Sequence, residues 1–228
     1  MDNGIVEMIT NDDHLDYQID SHKLIYHPER VAAWLRGEDI YPLYLEVSPA
    51  GSCNHHCTFC SFDYLSHKGP LLNRNVAYNL FRDIGQNGVK SVMFGGEGEP
   101  TLNQFLPSMA AVATAAKIDV ALTTNGSLCH PKGVGGELLP YLKWMKISVD
   151  AGTEGTYCPI HGALPGSWRR LKRNIDGLVK IRNQERYPCV IGIQAVLLPN
   201  NYHEMTTLAR LSRSWGVNYL VIKPFTDH

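Results

Sequence analysis

The chain has 228 residues, 44% of them hydrophobic, and its 21 basic and 22 acidic residues give a formal net charge of −1. That length supplies one substantial core and favours one domain or at most two, and the near-neutral balance gives no reason to expect nucleic acid or an anionic membrane as an obligatory partner. No apolar run approaches the roughly 20 residues of a membrane span, and Met1-Asp2-Asn3-Gly4 lacks the basic and apolar regions of a secretory signal, so a soluble, cytoplasmic protein is expected.

Residues 1–40 read as an extension: a polar, acidic start, then a short amphipathic segment from His27 to Leu35 with Pro28 suited to a first helical turn. From residue 41 onward a single domain is expected to run to residue 228. Short β-like runs at 43–48, 89–94, 118–124, 144–149, 189–197 and 217–223 alternate with helical patterns. One helix carries Ala77, Leu80, Phe81 and Ile84. A second carries Trp168, Leu171, Ile175, Leu178 and Val179 behind the N-cap candidate Ser167, and a third opens on Asn201 with Glu204 three residues on, in the manner of a capping box. Six-fold β/α alternation implies an α/β fold with a parallel sheet and right-handed crossovers, doubly wound or bent into a full or partial barrel. In either layout ligands bind beyond the carboxyl ends of the strands, and the distinctive polar residues fall there.

After the first strand comes Gly51-Ser52-Cys53-Asn54-His55-His56-Cys57-Thr58-Phe59-Cys60. Three thiolates in so tight a loop can hold three irons of a four-iron cluster and leave the fourth open, so that a small molecule completes the coordination. The competing reading is a zinc knuckle in which His55, His56 or a remote histidine adds a fourth ligand, although no second ligand pair stands at a fixed distance. Cys129, Cys158 and Cys189 are scattered without partner spacing and read as buried small hydrophobes in a reducing compartment. Cys158 is kept as a candidate catalytic thiol on the expectation that it follows a strand at the active end.

After the second strand, Gly95-Gly96-Glu97-Gly98-Glu99-Pro100 fits neither a dinucleotide fingerprint nor a phosphate loop, and its carboxylates would repel phosphate. It can let backbone approach a zwitterionic ligand while a carboxylate receives an ammonium group. Thr123-Thr124-Asn125-Gly126 is a strand-to-turn junction. Ser148 and Asp150 alternate on one side of the fourth strand and suit hydrogen bonds to hydroxyls, with helix capping as the alternative for Asp150. Gln194, a lone amide in an apolar strand, demands partners, and Lys223 closes the sixth strand, where it can neutralise a carboxylate or lie solvated. The basic run from Arg169 to Arg182 reads as a solvated helix face.

The cysteine triplet, with aromatic Phe59 before its last cysteine, resembles that of the radical S-adenosylmethionine (SAM) superfamily, and the resemblance extends from about Tyr41 to the end. It implies a partial (β/α)6 barrel, a four-iron four-sulfur (4Fe–4S) cluster on Cys53, Cys57 and Cys60, and SAM on the open iron. It further implies that Gly95, Gly96 and Glu97 contact the methionyl amine, in preference to the register in which Gly98-Glu99-Pro100 repeats the pattern two residues on, that Asn125 edges the SAM pocket, that Phe59 packs near adenine, and that Ser148, Asp150 and Gln194 hold ribose or adenine. A one-electron donor such as flavodoxin or ferredoxin would reduce the cluster, and SAM would split to methionine and a 5′-deoxyadenosyl radical that takes a substrate hydrogen. Gly-Glu-Gly-Glu-Pro and the run from Tyr41 to Ser48 look most like members that tailor peptides or saccharides, with epimerisation or dehydrogenation as outcomes. The chain stops just past the sixth strand, as expected of a core from something longer. Two alternatives stand: a zinc- or cluster-binding interaction module, and a SAM-binding regulator without radical chemistry.

Overall fold

Runs rich in β-branched, aromatic and aliphatic residues form six strands: β1 Tyr44–Val47, β2 Ser91–Phe94, β3 Asp119–Thr124, β4 Leu142–Ser148, β5 Val190–Leu197 and β6 Tyr219–Pro224. They were located in a computed structural model that describes residues 23–225. The acidic start expected before residue 23 lies outside the described residues.

All neighbouring strands are parallel, and their spatial order is their sequence order, β1 to β6. Each crossover carries helix: α2 (Ser61–Tyr64) and α3 (Arg74–Gln86) before β2, α4 (Leu106–Ala115) before β3, and α5 (Val134–Leu138) before β4. Next come α6 (Glu154–His161) and α7 (Ser167–Glu185) before β5, and α8 (Met205–Trp215) before β6. Right-handed crossovers that never reverse direction put every helix on one face and curl the sheet, which gives the expected partial (β/α)6 barrel. The short helix α1 (Pro28–Leu35) opens on Pro28 and is tied to the foot of the sheet by Arg30, whose guanidinium donates to the Tyr41 and Gly88 carbonyls.

Strand alternation sorts the two faces. Val92 and Phe94, Val120 and Leu122, Met145 and Ile147, and Ile191 and Ile193 are buried with Phe81, Met109, Leu171 and Ile175 from the helices, in one core. Each such side chain contributes about 1.5–3 kcal/mol by leaving water. The alternate positions line the barrel interior. Thr123 Oγ1 meets Met93 Sδ at 3.4 Å, the Lys146 ammonium lies 5.5 Å from the centre of the Trp144 ring, and Ser148 stands opposite Gln194.

Two expected helix starts differ in detail. Ser167 is the first residue of α7 rather than its cap; Gly166, with φ of +84°, takes the cap position. Asn201 and Glu204 form no capping box because both side chains are drawn to the strand ends. Asn201 is fully buried; its amide donates to the Asp150 and Val196 carbonyls at 2.9 and 2.8 Å while its oxygen accepts from Leu198 N. Glu204 accepts from Gly152 N, Thr153 N, Thr153 Oγ1 and Thr156 Oγ1 at 2.7–3.1 Å. Together they clamp the turn after β4 to the turn after β5.

Burial alone would raise the Glu204 carboxyl, but these four hydrogen bonds hold it below the usual range. A carboxylate depressed in the folded state adds stability above its unfolded pKa and loses it as pH falls through the folded one. Glu204→Ala, which strands several donors, is expected to lower stability by about 1–3 kcal/mol at neutral pH. Denaturant melts from pH 7 to pH 3 check this: the difference between Glu204→Gln and wild type should shrink as the medium is acidified.

Candidate active site

The segment from Ser48 to Cys60 is almost without regular structure, so its backbone must find partners elsewhere. It crosses Gly69 so closely that a Cβ on Gly51 would lie 2.4 Å from the Gly69 Cα, with Gly69 N donating to Gly51 O at 2.6 Å. Glu99 N donates to Ser52 O at 3.0 Å, and His56 N and Thr58 N donate to the carbonyls of His161 and Ile160, the last residues of α6, at 3.0 and 2.9 Å. Asn54 donates to Ser127 Oγ at 2.8 Å and accepts from Asn125 Nδ2 at 2.9 Å. The cysteine loop is therefore held by the carboxyl ends of β2 and β3 and by the end of α6.

Cys53, Cys57 and Cys60 are free thiols. Cys60 N donates to Cys57 O at 3.0 Å in a tight turn. Burial pushes the Cys57 thiol well above the ordinary range, and the neighbouring Cys53, Asp150 and Cys60 push it further; Cys53 is raised by burial and, in smaller part, by Glu99 and Cys60. Mutually repelling, partly buried thiols favour a cationic centre, whose binding displaces their protons. Among the described residues the group whose ligand atoms all approach within 4.8 Å is His55, Cys57 and His161, not the three thiols. The thiols thus do not converge on one ion as a zinc knuckle requires, while a cuboidal cluster gives each thiolate its own iron. The cysteines fit the cluster.

The glycine-rich stretch leans on the cysteine loop. A Cβ on Gly98 would lie 2.1 Å from Ser52 O, and Gly96 sits at φ +99° with Ser48 beneath it, so both positions require glycine. The two carboxylates differ. Glu99 is 2% exposed and accepts from Thr101 N, Thr101 Oγ1, Thr124 Oγ1 and Asn125 N. Burial raises its pKa against the pull of those hydrogen bonds. Glu97 is exposed; its Oε2 meets His67 Nε2 at 2.9 Å, and Oε1 has no partner among the described residues.

The remaining expected residues divide. Gln194 is half-buried with Oε1 enclosed and unpartnered, across the register from Ser148, so two polar groups face the interior together. Phe59 stands edge-on to His161, ring centres 6.2 Å apart. Asp150 corrects the alternation argument: β4 ends at Ser148, and beyond it Asp150 turns inward to 1% exposure, with Oδ1 accepting from Val196 N and Oδ2 3.3 Å from His161 Nε2. Its Oδ2 is enclosed without a hydrogen-bond partner. Asn125 commits its oxygen to Ser127 and its amide to Asn54, and so braces the cysteine loop. Cys158 does not follow a strand; it lies within α6, its thiol directed to the Leu164 carbonyl at 3.7 Å and raised by burial and Glu154, the reverse of an activated nucleophile. Cys129 and Cys189 are buried, both raised to about 12 by that burial.

Residues the spacing argument passed over are His161, Asn54 and Ser127, and it ranked Glu99 behind Glu97. The signal for Glu99 was its place in a doubled Gly-Glu pattern. His161 had the signal of a histidine directly before a turn glycine, Gly162, which is left-handed at φ +53° and where a Cβ would strike His56 O at 2.3 Å. Glu99→Ala would leave four donors without an acceptor; an expected loss of about 2–4 kcal/mol, with iron per chain after reconstitution falling below wild type, is checked by thermal melts of the apo chain and iron and sulfide assay.

The sequence model of the Radical SAM superfamily matches residues 47–211. A GTP 3′,8-cyclase of Synechococcus sp. (strain CC9902) is 29% identical over 189 residues, 78% of this chain and 54% of the relative. A tungsten-containing aldehyde ferredoxin oxidoreductase cofactor-modifying protein of Pyrococcus furiosus is 24% identical over 79% of this chain and 50% of its own. The chain thus spans about half the length of these curated relatives. Among solved structures, Streptococcus suis SuiB bound to precursor peptide SuiA superposes with TM-score 0.66 at 18% identity over 99% of this chain and 47% of SuiB. The protein anSMEcpe with bound AdoMet superposes with TM-score 0.64 at 21% identity, over 82% of this chain and 52% of its own. These structures share the fold, and the match over residues 47–211 identifies the chain as a member of the Radical SAM superfamily, whose members use a 4Fe–4S cluster and SAM.

Proposed function

We propose that the chain cleaves SAM reductively and uses the resulting 5′-deoxyadenosyl radical to take a hydrogen atom from a substrate carbon. One observation carries this reading: three free thiols on one braced loop at the carboxyl ends of the strands, beside a glycine-rich arm with one uncommitted carboxylate oxygen, on Glu97. The bound cluster supplies the electron that breaks the carbon–sulfur bond of SAM and an iron that anchors its amino and carboxylate groups.

In this reading Cys53, Cys57 and Cys60 each hold one iron. Glu97 receives the SAM amine through its free oxygen, in preference to the fully occupied Glu99, and Gly95 and Gly96 let the backbone come close. Phe59 packs on adenine, and Ser148 with Gln194 holds ribose or adenine, the unpartnered Gln194 oxygen being the supporting observation. The interior below, lined by Met93, Thr123, Trp144 and Lys146, would exclude water from the substrate carbon. Flavodoxin or ferredoxin suits the one-electron donor, and residues 41–228 would be the catalytic core with 1–40 as an extension. For the substrate, a peptide or saccharide undergoing epimerisation or dehydrogenation is favoured by a likeness to peptide-bound SuiB that covers 99% of the chain. A second reading, a purine nucleoside triphosphate, is favoured by the GTP 3′,8-cyclases among its relatives.

Anaerobically reconstituted chain with SAM and a strong reductant is expected to yield 5′-deoxyadenosine, and Cys57→Ala to yield none; chromatography of the quenched reaction checks both. Deuterium passing into that product from a labelled peptide, saccharide or GTP would choose the substrate. Glu97→Ala should weaken SAM binding by about tenfold or more, since a hydrogen bond between charged groups contributes about 1.5–3 kcal/mol. Equilibrium dialysis against labelled SAM measures it. A cluster-loaded wild type that binds SAM but forms no product would instead favour a SAM-binding regulator.

A further inference from the structure

His161 is fully enclosed. Tyr157 stacks on its ring at 4.3 Å between centres, and Phe59 and His55 approach at 6.2 and 5.8 Å. Its two nitrogens meet different neighbours. Nε2 lies 3.2 Å from Asp150 N, a backbone N–H that can only donate, and 3.3 Å from Asp150 Oδ2; Nδ1 lies 3.4 Å from Cys57 Sγ. A neutral ring that accepts the Asp150 N–H at Nε2 carries its proton on Nδ1, aimed at the sulfur. The other neutral tautomer would turn an N–H on the Asp150 N–H and a lone pair on the Cys57 thiolate, two repulsive contacts, and would gain only the nearby Asp150 Oδ2, which makes no hydrogen bond to the ring. A doubly protonated ring would also donate to the sulfur.

We infer that His161 is a tuning group of the cluster: its Nδ1–H donates a hydrogen bond to the thiolate of Cys57, raises the cluster's reduction potential, and is held in that tautomer by the backbone N–H of Asp150. The inference rests on the proposed cluster. Its physical basis is that a donor aimed at a ligating sulfur stabilises the extra negative charge of the reduced state, and does so strongly where water is excluded. Of the three cysteines, Cys57 is the one that this imidazole touches. Cys53 instead accepts from a backbone N–H, that of His55 at 3.4 Å, with the Asn125 amide farther off at 3.9 Å. The three thiolates are therefore inequivalent. The backbone of His161 also accepts from His56 N, so the residue has a structural duty that any side chain retains.

The test uses the full 228-residue chain, reconstituted anaerobically as wild type, His161→Phe and His161→Gln, with iron and sulfide assayed for each. Redox titrations followed by electron paramagnetic resonance should give His161→Phe a lower midpoint potential at equal cluster content, with His161→Gln, whose amide can donate, moved back toward wild type. A His161→Phe chain with a full cluster and the wild-type potential overturns the inference. Should that variant fail to load, wild type carrying 15N-histidine decides: a nitrogen hyperfine coupling on the reduced cluster, absent from His161→Gln or changed in it, supports the hydrogen bond, and no coupling in wild type overturns it. A wild type that assembles no four-iron cluster sinks the functional reading itself. A cluster in wild type without the His161 effect sinks this inference alone.

Discussion

The buried Glu99 carboxylate is the contact on which the rim depends. A cysteine-bearing loop without regular structure needs donors and acceptors from its surroundings, and those surroundings must themselves be fixed. Glu99 does this twice. Its side chain gathers the end of β3 through Thr124 and Asn125, while its backbone N–H holds Ser52 at the entrance of the cysteine loop. Asn125, fixed by Glu99, then reaches Asn54 inside the loop. The carboxyl group is removed from water, which raises its pKa, and the four donors around it offset part of that cost.

Close backbone approach is the second constraint. Gly51 against Gly69, Gly98 against Ser52 and Gly162 against His56 are three places where a Cβ would lie within 2.4 Å of a backbone atom of the neighbouring segment. Each marks an edge of the cysteine loop. The loop is packed against the glycine-rich arm on one side and the α6 terminus on another, with no side chain intervening at these contacts. That arrangement sets the loop relative to β2 and α6 more rigidly than hydrogen bonds alone would.

Much of this was legible in the residues. Alternating apolar runs such as Val92-Met93-Phe94 and Ile191-Gly192-Ile193 disclose strands, and helical periodicity from Ala77 to Ile84 discloses α3, because burial on one face imposes the period. The cysteine spacing is local, so it survives without knowledge of the fold. What was not legible depends on partners distant in sequence. His161 lies 104 residues from Cys57 and Glu204 lies 51 from Thr153, and no local pattern announces either pairing. Asp150 misleads for a different reason: alternation holds only while the strand lasts, and β4 ends two residues earlier. Asn201 and Glu204 carry a capping signature that the strand ends outbid with better partners.

The two faces of the sheet lead to a consequence for how such a protein can change over generations. The residues that brace the cysteine loop, Glu99, Asn125, Asn54 and the end of α6, lie on the rim, whereas Glu46, Met93, Trp144 and Lys146 lie deeper on the inner face, making their contacts chiefly with one another or with strand neighbours such as Tyr44 and Thr123. Substitution of the inner set leaves every bracing hydrogen bond intact. Selection can thus remodel the lining for a new occupant while the sulfur-bearing rim stays constant, and lineages with quite different chemistry can descend from one unaltered collar of polar contacts.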